Sequence, residues 1–195
     1  KSFNREKALE AIANKNIKIY LEYYIESVNE NYIELSTVDT EENNSQKINY
    51  SGLIWTAGLK PCGFKLLDHF LDKNKKVKVN KFLQINEYEN IFFVGDIALC
   101  ENYPIPSSAQ VAMQQGLLTA QNIFSLRNGN KLKSFQFEDL GEMLSLGIGN
   151  ASITGYGITL AGRIAFKIRH LAYLMRMPGF SLAVKSAGSR LFSKK

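Results

Sequence analysis

One stretch of the chain, from Asn90 to Gly116, constrains the fold more than any other. Ile91 to Val94 is a continuous run of apolar β-branched and aromatic residues, which predicts a strand buried on both faces. Gly95-Asp96 predicts a turn directly after this strand. A small-residue helix follows a proline-bearing loop, so the stretch places a turn beside a helix N-terminus, where a polar ligand can bind.

Within this stretch, the turn and the helix carry the candidate binding groups. Ser107 or Ser108 can cap the helix. An Asp such as Asp96, at the carboxyl end of a parallel strand, is well placed to accept hydrogen bonds from ribityl or ribose hydroxyls, although an ordinary turn or cap residue would look the same. Gln110 and Gln114 share one helix face. Small residues around them leave room for a planar ring, and a polar helix at a domain interface is the alternative interpretation.

The segments before Asn90 predict a helix, a β-meander and a buried strand. The buried strand is Ser51 to Gly58, whose small end at Ala57 and Gly58 lets a ligand or a backbone come close, because no Cβ stands in the way. An ordinary turn at that end is the alternative. The helix is predicted over Phe3 to Ala13, and the extended segments over Ile17 to Leu21, Tyr24 to Val28, Tyr32 to Leu35 and Ile48 to Tyr50. A short helix is predicted over Phe64 to Phe70.

The segments after Gly116 predict a β-rich section followed by helices. The section starts at Phe135 to Phe137, and glycines interrupt two paired strands within Leu140 to Gly147 and Ala151 to Gly157. Ile158 to Met177 predicts a helix. The last segment has an apolar stripe with basic residues off it, typical of an interfacial amphipathic helix, although core packing would use the same stripe. The stripe consists of Phe180, Val184, Ala187 and Leu191.

Charge is distributed unevenly along the chain. The net charge is +6, and no acidic residue follows Glu142, whereas eight basic residues do. This basic tail favours an anionic partner such as a lipid surface, with a solvated basic helix as the alternative. Nucleic acid is disfavoured, because the tail lacks an RNP-like or helix-turn-helix pattern. The uncharged stretches 102–126 and 143–162 contain too many polar residues and glycines to predict a membrane span.

Several kinds of chemistry are not indicated by the sequence. Cys62 and Cys100 are too few for a disulfide framework and form no metal-type pair, which favours a reducing compartment. His69 and His170 are isolated, so we expect structural or exposed roles for them rather than catalysis. The polar first ten residues do not predict a signal peptide. No metal site is predicted, and no side chain stands out as a catalytic acid or base.

Three segments taken together resemble type II NAD(P)H dehydrogenases. They are Leu-Ile-Trp-Thr-Ala-Gly-Leu-Lys-Pro at 53–61, Ile-Phe-Phe-Val-Gly-Asp at 91–96 and Ala-Gln-Val-Ala-Met-Gln-Gln-Gly at 109–116. These enzymes are FAD-dependent members of the pyridine nucleotide-disulfide oxidoreductase superfamily that pass electrons to membrane quinones. The tail segments 140–147, 157–162 and 171–178 resemble the demethylphylloquinone reductase branch, except that Leu191-Phe192 stands where that branch carries a Trp.

The resemblance implies FAD as cofactor and NADH or NADPH as hydride donor. Asp96 would bind the ribityl chain, the backbone of Gln110 and Val111 would meet the pyrimidine edge of the ring, and Gln110 and Gln114 would line the quinone approach. No catalytic acid or base and no metal is implied. The full set of implied cofactor-binding residues is Ala57, Gly58, Gly95, Asp96, Ala109, Gln110 and Val111.

The resemblance also implies a location and partners. We expect a peripheral protein on the cytoplasmic face of a thylakoid or plasma membrane, with a membrane quinone and anionic lipid as partners and no nucleic acid. A homodimer is one assembly that the resemblance allows. The alternative function, from a different class, is a non-catalytic basic membrane-binding module.

The implied fold class is α/β, with an α+β tail, corresponding to the C-terminal half of a flavoprotein with two dinucleotide-binding domains. Residues 1–60 would end the NAD(P)H domain, 61–133 would form the returning FAD segment, and 134–195 would face the membrane and quinone. The glycine-rich fingerprints of the family are absent from this sequence. We therefore expect weak FAD binding and no activity from this chain alone.

Overall fold

The computed structural model describes residues 2–37, 45–58, 70–100, 105–179, 181, 182, 184–186 and 188. The chain divides into a first unit, made of Lys1–Gly58, Leu144–Ser152 and Ala161–Lys195, and a second unit, made of Leu59–Met143 and Ile153–Leu160. The described helices are α1 (Ser2–Ala13), α2 (Ala109–Arg127) and α3 (Gly162–Met175). The described strands are β1 (Tyr23–Val28), β2 (Tyr32–Thr37), β3 (Ser45–Asn49), β4 (Val77–Val79), β5 (Gln84–Ile85), β6 (Tyr88–Phe92), β7 (Ala98–Cys100), β8 (Glu142–Ser145), β9 (Ala151–Gly155) and β10 (Ile158–Ala161).

The first unit contains the predicted helix and β-meander. β1, β2 and β3 form an antiparallel sheet in chain order. The turn at 29–31 closes it, since the Asn29 N–H donates to the Tyr32 carbonyl and the Tyr50 N–H to the Asn31 carbonyl, both at 2.9 Å. The predicted strand over Ile17 to Leu21 is wrong, because this segment pairs with no described strand and its residues are exposed.

The predicted buried strand over Ser51 to Gly58 is also wrong. The segment has no strand pairing and all eight residues are exposed, including Leu53, Ile54 and Trp55. The apolar side chains of this segment were the reason for predicting a buried strand. An extended segment becomes a strand, however, only when a neighbouring strand forms hydrogen bonds with its backbone. No described strand pairs with it.

The second unit is built around one hydrophobic core. β4 pairs in parallel with β7, and the two valines of β4 are fully buried. The core residues are Val77, Val79, Leu83, Ile85, Val111 and Phe135. The Phe135 N–H donates to the Lys81 carbonyl at 2.8 Å, which anchors the segment that was predicted to start a β-rich section. Phe135 to Phe137 is not a strand.

The strand predicted over Ile91 to Val94 occurs at Tyr88–Phe92, as β6. It pairs antiparallel with β5 and its residues are partly or fully exposed, so the prediction of a parallel strand buried on both faces is wrong. A two-residue turn at Asn86-Glu87 joins β5 to β6 and sets this antiparallel pairing. Ahead of β5, the Asn80 Oδ1 atom accepts hydrogen bonds from the Phe82 N–H at 2.8 Å and the Gln84 N–H at 3.1 Å, which fixes the start of β5.

The predicted small-residue helix is confirmed as α2. Ser108 is its N-cap, with extended backbone and a side chain that accepts a hydrogen bond from the Val111 N–H. The helix ends at Arg127, and Gly129 follows with φ +67°, as is common just past a helix C-terminus. The buried residues of α2 are Val111, Gln115, Thr119 and Asn122, so three of the four side chains on the inward face are polar.

The tail begins with a three-stranded sheet in the order β10, β9, β8, which confirms the predicted pair of strands. The helix predicted over Ile158 to Met177 is wrong in its first part, because residues Ile158–Ala161 form β10. Tyr156 and Gly157 have φ of +49° and +78°, the values of a two-residue hairpin turn, and this turn joins β9 to β10 before α3 starts.

Beyond α3, the predicted stripe at Phe180, Ala187 and Leu191 lies outside the described residues. Val184 is described, helical and exposed. A short helix predicted over Phe64 to Phe70 also falls outside the described part, apart from Phe70 itself. Among the described helices, none is both long and apolar enough to cross a membrane.

Candidate functional site

The centre of the candidate site is the turn that follows β6. Gly95–Ile97 forms a 3₁₀ turn, and Gly95 has φ +75°, a conformation that favours glycine. The Gly95 N–H donates to Gln115 Oε1 at 2.6 Å. A Cβ at Gly95 would lie 3.4 Å from the Cβ of Ala112. The turn is therefore held directly against the first two turns of α2.

Asp96 stands on this turn with an exposed side chain. In the part of the chain that the structure describes, its carboxylate has no hydrogen-bond or ion-pair partner. Because the neighbouring Gly95 is fixed on α2, the carboxylate is attached to a well-positioned backbone. An exposed, uncommitted carboxylate at such a place can accept hydrogen bonds from hydroxyl groups of a ligand.

The N-terminus of α2 supplies donors beside this turn. The first backbone N–H groups of a helix have no intrahelical acceptor. Ser108 Oγ takes the Val111 N–H at 3.3 Å, which leaves the N–H groups of Ala109 and Gln110 as the remaining donors at the helix start. Lys76 Nζ donates to Ser107 Oγ at 3.1 Å and adds a positive charge to this end of the helix.

The side chains of Gln110 and Gln114 bind the backbone of the segment 138–141. Gln110 Oε1 accepts from the Leu140 N–H at 3.0 Å, and its Nε2 donates to the Gly141 carbonyl at 3.1 Å. Gln114 makes the same two bonds with one residue, since Oε1 accepts from the Glu138 N–H at 3.0 Å and Nε2 donates to the Glu138 carbonyl at 2.8 Å. Each side-chain amide therefore satisfies one backbone donor and one backbone acceptor of this segment.

The segment 138–141 is held on its other side as well. Gly141 has φ +98°, and a Cβ there would lie 2.0 Å from the Thr154 carbonyl oxygen, so only glycine fits. The Tyr156 hydroxyl donates to Glu138 Oε1 at 3.1 Å. Burial raises the pKa of the Tyr156 hydroxyl, and the hydrogen bond with Glu138 raises it further.

Six of the sequence-predicted site residues lie in two neighbouring segments of the second unit. Gly95 and Asp96 form the turn, and Ala109, Gln110, Val111 and Gln114 form the start of α2. Ala57 and Gly58 belong to the first unit, where Gly58 has φ +89° and both residues are exposed. The binding roles inferred for these eight residues stay predictions.

Sequence reasoning missed two side chains that organise this site. Gln115 is 1% exposed and holds Gly95, while Asn122 is fully buried. Asn122 Oδ1 accepts from the Lys133 N–H and Nδ2 donates to the Lys133 carbonyl, both at 2.9 Å. Their spacing could have identified them as buried, because Gln115 and Asn122 follow Val111 at i+4 and i+11 and so share its helix face.

A comparison with known protein families identifies the family of this chain. Residues 2–116 match the family described as pyridine nucleotide-disulphide oxidoreductase. The chain belongs to this family. Curated relatives include the alternative NAD(P)H-ubiquinone oxidoreductase C1 of Arabidopsis thaliana, 31% identical over 90% of this chain, and the type II NADH:quinone oxidoreductase of Staphylococcus aureus, 32% identical over 74% of it. The resemblance predicted from the three sequence segments is therefore confirmed at the level of the family.

Solved structures support the same fold. NDH2 from Plasmodium falciparum in complex with NADH superposes with a TM-score of 0.78, over 97% of this chain and 55% of the other, at 16% identity. The sulfide:quinone oxidoreductase of Aquifex aeolicus superposes with a TM-score of 0.64, over 96% of this chain and 48% of the other, at 19% identity. The predicted α/β fold class is confirmed.

Coverage differs between this family member and its relatives. The chain spans 37% of the length of the Arabidopsis relative and 38% of the Staphylococcus one.

Within the described ranges, no group of three or more His, Cys, Asp or Glu side chains could hold a metal ion.

Proposed function

We propose that this chain is part of an FAD-dependent NAD(P)H:quinone oxidoreductase. One observation carries the proposal: the Gly95-Asp96 turn is fixed against the N-terminal end of α2 by the hydrogen bond from the Gly95 N–H to Gln115. The functions of the relatives support the reaction class, since one is an NAD(P)H-ubiquinone oxidoreductase and another an NADH:quinone oxidoreductase.

The residues present fit a flavin. Gly95 has φ +75° and carries no side chain, so backbone and ligand can share the space above α2. The Asp96 carboxylate suits the hydroxyls of a ribityl chain. The N–H groups of Ala109 and Gln110 suit the acceptor atoms at the pyrimidine edge of an isoalloxazine ring, and the positive end of the α2 dipole favours negative charge there. The Val111 N–H is already taken by Ser108 Oγ, and the Val111 side chain packs in the hydrophobic core beneath this end of the helix.

When bound, FAD would supply the redox chemistry by accepting a hydride from NADH or NADPH and passing two electrons to a quinone. The residues of this chain bind and orient. Asp96 fixes the ribityl chain, and α2 favours the reduced, more negative ring by its dipole and by Lys76 near its start. Ala57 and Gly58 leave room for the nicotinamide, because neither carries a large side chain.

We further propose that Gln110 and Gln114 shape the quinone approach by holding the segment 138–141 in place. Both amide groups bond to backbone atoms of that segment, so their effect on a quinone passes through its position. Substituting both residues should impair quinone reduction while electron transfer to a soluble acceptor persists. Among quinones, demethylphylloquinone is the candidate that the tail segments suggest.

The proposed location is the surface of an anionic membrane, and helix α3 supports it. Its residues at i, i+4, i+7 and i+11 form an exposed apolar stripe, and basic residues flank this stripe on both sides. Together with the basic residues that follow, this face suits the boundary between lipid head groups and acyl chains. The stripe consists of Ile164, Ile168, Leu171 and Met175, and the flanking basic residues are Arg163, Lys167 and Arg176.

A chimera tests the proposed function. Residues 2–195 of this chain replace the matching segment of the Arabidopsis relative, and flavin content is read from the visible absorption spectrum after desalting. We expect a chimera that retains FAD and reduces ubiquinone with NADH or NADPH. Asp96→Ala in this chimera should weaken FAD binding about ten- to a hundredfold, because a charged hydrogen-bond acceptor is lost.

Glu87→Ala is the matched control, since Glu87 is an exposed carboxylate in the turn between β5 and β6 of the same unit. It should leave the flavin content unchanged. A folded chimera without flavin would contradict the whole proposal. A flavin-loaded chimera in which Asp96→Ala and Glu87→Ala behave alike would contradict only the role of Asp96.

A further inference from the structure

A pocket of about 560 Å³ lies in the first unit, along one face of α3. This volume is within the range of sites that take small molecules. Its lining includes polar residues, Arg169, Tyr173 and Ser186, and apolar residues, Phe166, Leu174 and Met177. The α3 residues of the pocket lie opposite the exposed stripe that includes Ile168, so the two faces of this helix are separate surfaces.

Arg169 is the distinctive group of this pocket. Its Nε atom is buried and has no hydrogen-bond partner among the described residues. The guanidinium carbon lies 4.7 Å from the centroid of the Tyr173 ring, which holds the side chain by a cation–π contact. A buried N–H group without an acceptor is unfavourable, so an oxygen atom of a ligand at this position would remove that penalty.

In addition, no acidic side chain of the pocket neutralises the positive charge of Arg169. No acidic residue lines the pocket, and the sequence contains none after Glu142. The Tyr173 ring attracts the cation by its face but supplies no negative charge. A ligand with an anionic oxygen would therefore meet both an unused donor and an unneutralised positive charge.

We propose that this pocket binds one anionic amphiphile, with a carboxylate or phosphate head on Arg169 and an acyl chain against Phe166, Leu174 and Met177. The apolar wall contributes because each methylene group of the chain leaves water on binding. The head group of the ligand is recognised by charge and hydrogen bonding, and its acyl chain by size and apolarity. None of the residues that line this pocket is among those assigned to the flavin or the nicotinamide.

Isothermal titration of the 195-residue chain with four probes tests this proposal. The probes are decanoate, decyl phosphate, the neutral decanol and inorganic phosphate. We expect stoichiometric binding of at least one anionic decyl probe, and much weaker binding of decanol and of inorganic phosphate. A preference for decanoate would identify a fatty acid as the natural source, and a preference for decyl phosphate a phospholipid.

Variants separate the pocket from the basic surface. Arg169→Gln should weaken the anionic decyl probes about tenfold or more, because a charge-assisted hydrogen bond is lost. Arg163→Gln removes the same charge from the exposed side of α3 and should change binding less than about twofold. Leu174→Trp should fill the apolar part and abolish binding of both anionic probes, whereas Arg169→Lys should retain most of it.

Three results would overturn the proposal. Decanol binding as tightly as decanoate would show that the charge is not recognised. If inorganic phosphate bound as tightly as decyl phosphate, the apolar wall would contribute nothing to binding, and the proposed contact with an acyl chain would be wrong. Equal losses in Arg163→Gln and Arg169→Gln would assign the binding to surface electrostatics. If circular dichroism shows that Arg169→Gln is unfolded, the pair Arg169→Lys and Leu174→Trp decides, because binding that survives Leu174→Trp contradicts the site.

Discussion

The two units use polar side chains in opposite ways. In the second unit, the amides of Gln110, Gln114 and Asn122 each bond to both the N–H and the carbonyl side of neighbouring backbone. In the first unit, Arg169 has a buried nitrogen with no described partner, and the outward face of α3 is apolar and exposed. The second unit is thus organised internally around its candidate site, whereas the first presents groups that suit external partners.

The difference shows where rigidity is needed. A cofactor site requires fixed distances, and the side-chain amides of α2 fix the Gly95 turn and the segment 138–141. A surface that meets a lipid requires apolar area and positive charge rather than fixed distances. The following predictions test this contrast, starting with the largest expected effect on stability.

Asn122→Ala should have the largest effect. The substitution leaves the Lys133 N–H and carbonyl without their buried partner and removes a 3.5 Å contact with the Phe82 carbonyl. We expect the free energy of unfolding to fall by about 3 kcal/mol. Urea titration followed by far-ultraviolet circular dichroism measures it, because the single Trp of the chain, Trp55, lies in the first unit.

Gln121→Ala is the control for this loss, because Gln121 is exposed on the same helix. It should change the unfolding free energy by less than about 0.5 kcal/mol. Similar losses in both variants would mean that α2 is stabilised by helix propensity rather than by the buried amide, and the contrast between the units would weaken.

The double variant Gln110→Ala, Gln114→Ala should have a smaller, local effect. The N–H groups of Glu138 and Leu140 lose their acceptors, so their hydrogen exchange should accelerate about tenfold while exchange in β4 is unchanged. Hydrogen exchange followed by NMR measures each amide. Unchanged exchange at Glu138 and Leu140 would show that Gly141 and its neighbours hold the segment without the glutamines.

The sequence predicted the elements whose signals are local. Ser108 before a run of small residues predicted α2, and the turn at Gly95 was visible as Gly-Asp after an apolar run. The direction and burial of β6 were not predictable, because the two-residue turn at Asn86-Glu87 pairs this strand antiparallel with β5. Hydrophobicity alone assigned Ser51 to Gly58 to a strand, although strand formation depends on a partner.

The candidate site was predictable in its chemistry but not in its internal bonding. Gly95, Asp96 and Gln110 stood out by residue type and by the resemblance to a family. The pairing of Gln110 with Leu140 and Gly141 joins residues about thirty positions apart, and no local pattern encodes such a contact. Gln115 and Asn122 were missed because a polar residue on a helix is ordinarily assigned to the exposed face.

On α3, Ile168→Ser should leave stability nearly unchanged and reduce lipid binding. Ile168 is exposed, so we expect a change in unfolding free energy within about 0.5 kcal/mol. Sedimentation with phosphatidylglycerol vesicles should decrease about fivefold, because the side chain no longer enters the acyl region. Leu9→Ser removes an exposed apolar side chain from α1 of the same unit and should have no such effect. Equal decreases in both variants would contradict a specific membrane face on α3.

The smallest expected effect is in the β-meander, where Glu34 and Lys47 form an ion pair at 3.2 Å across β2 and β3. A hydrogen bond from Ser27 and then one from Lys47 lower the pKa of the Glu34 carboxyl, while Glu34 raises the pKa of Lys47. A lowered pKa in the folded state means that Glu34 stabilises the fold above its unfolded pKa, about 4.3, and that this contribution is lost as the pH falls through the folded value.

Glu34→Gln should therefore lower the melting temperature slightly at pH 7, and this difference from the unaltered protein should shrink as the pH falls below about 4. Thermal unfolding between pH 3 and pH 7, in steps of about one pH unit, measures this difference. Glu30→Gln, in the exposed turn of the same meander, should show no pH-dependent difference. Since the pair lies at the surface, salt should screen it. A difference that grows towards low pH would mean that the ionised Glu34 destabilises the sheet, which would contradict a stabilising ion pair with Lys47.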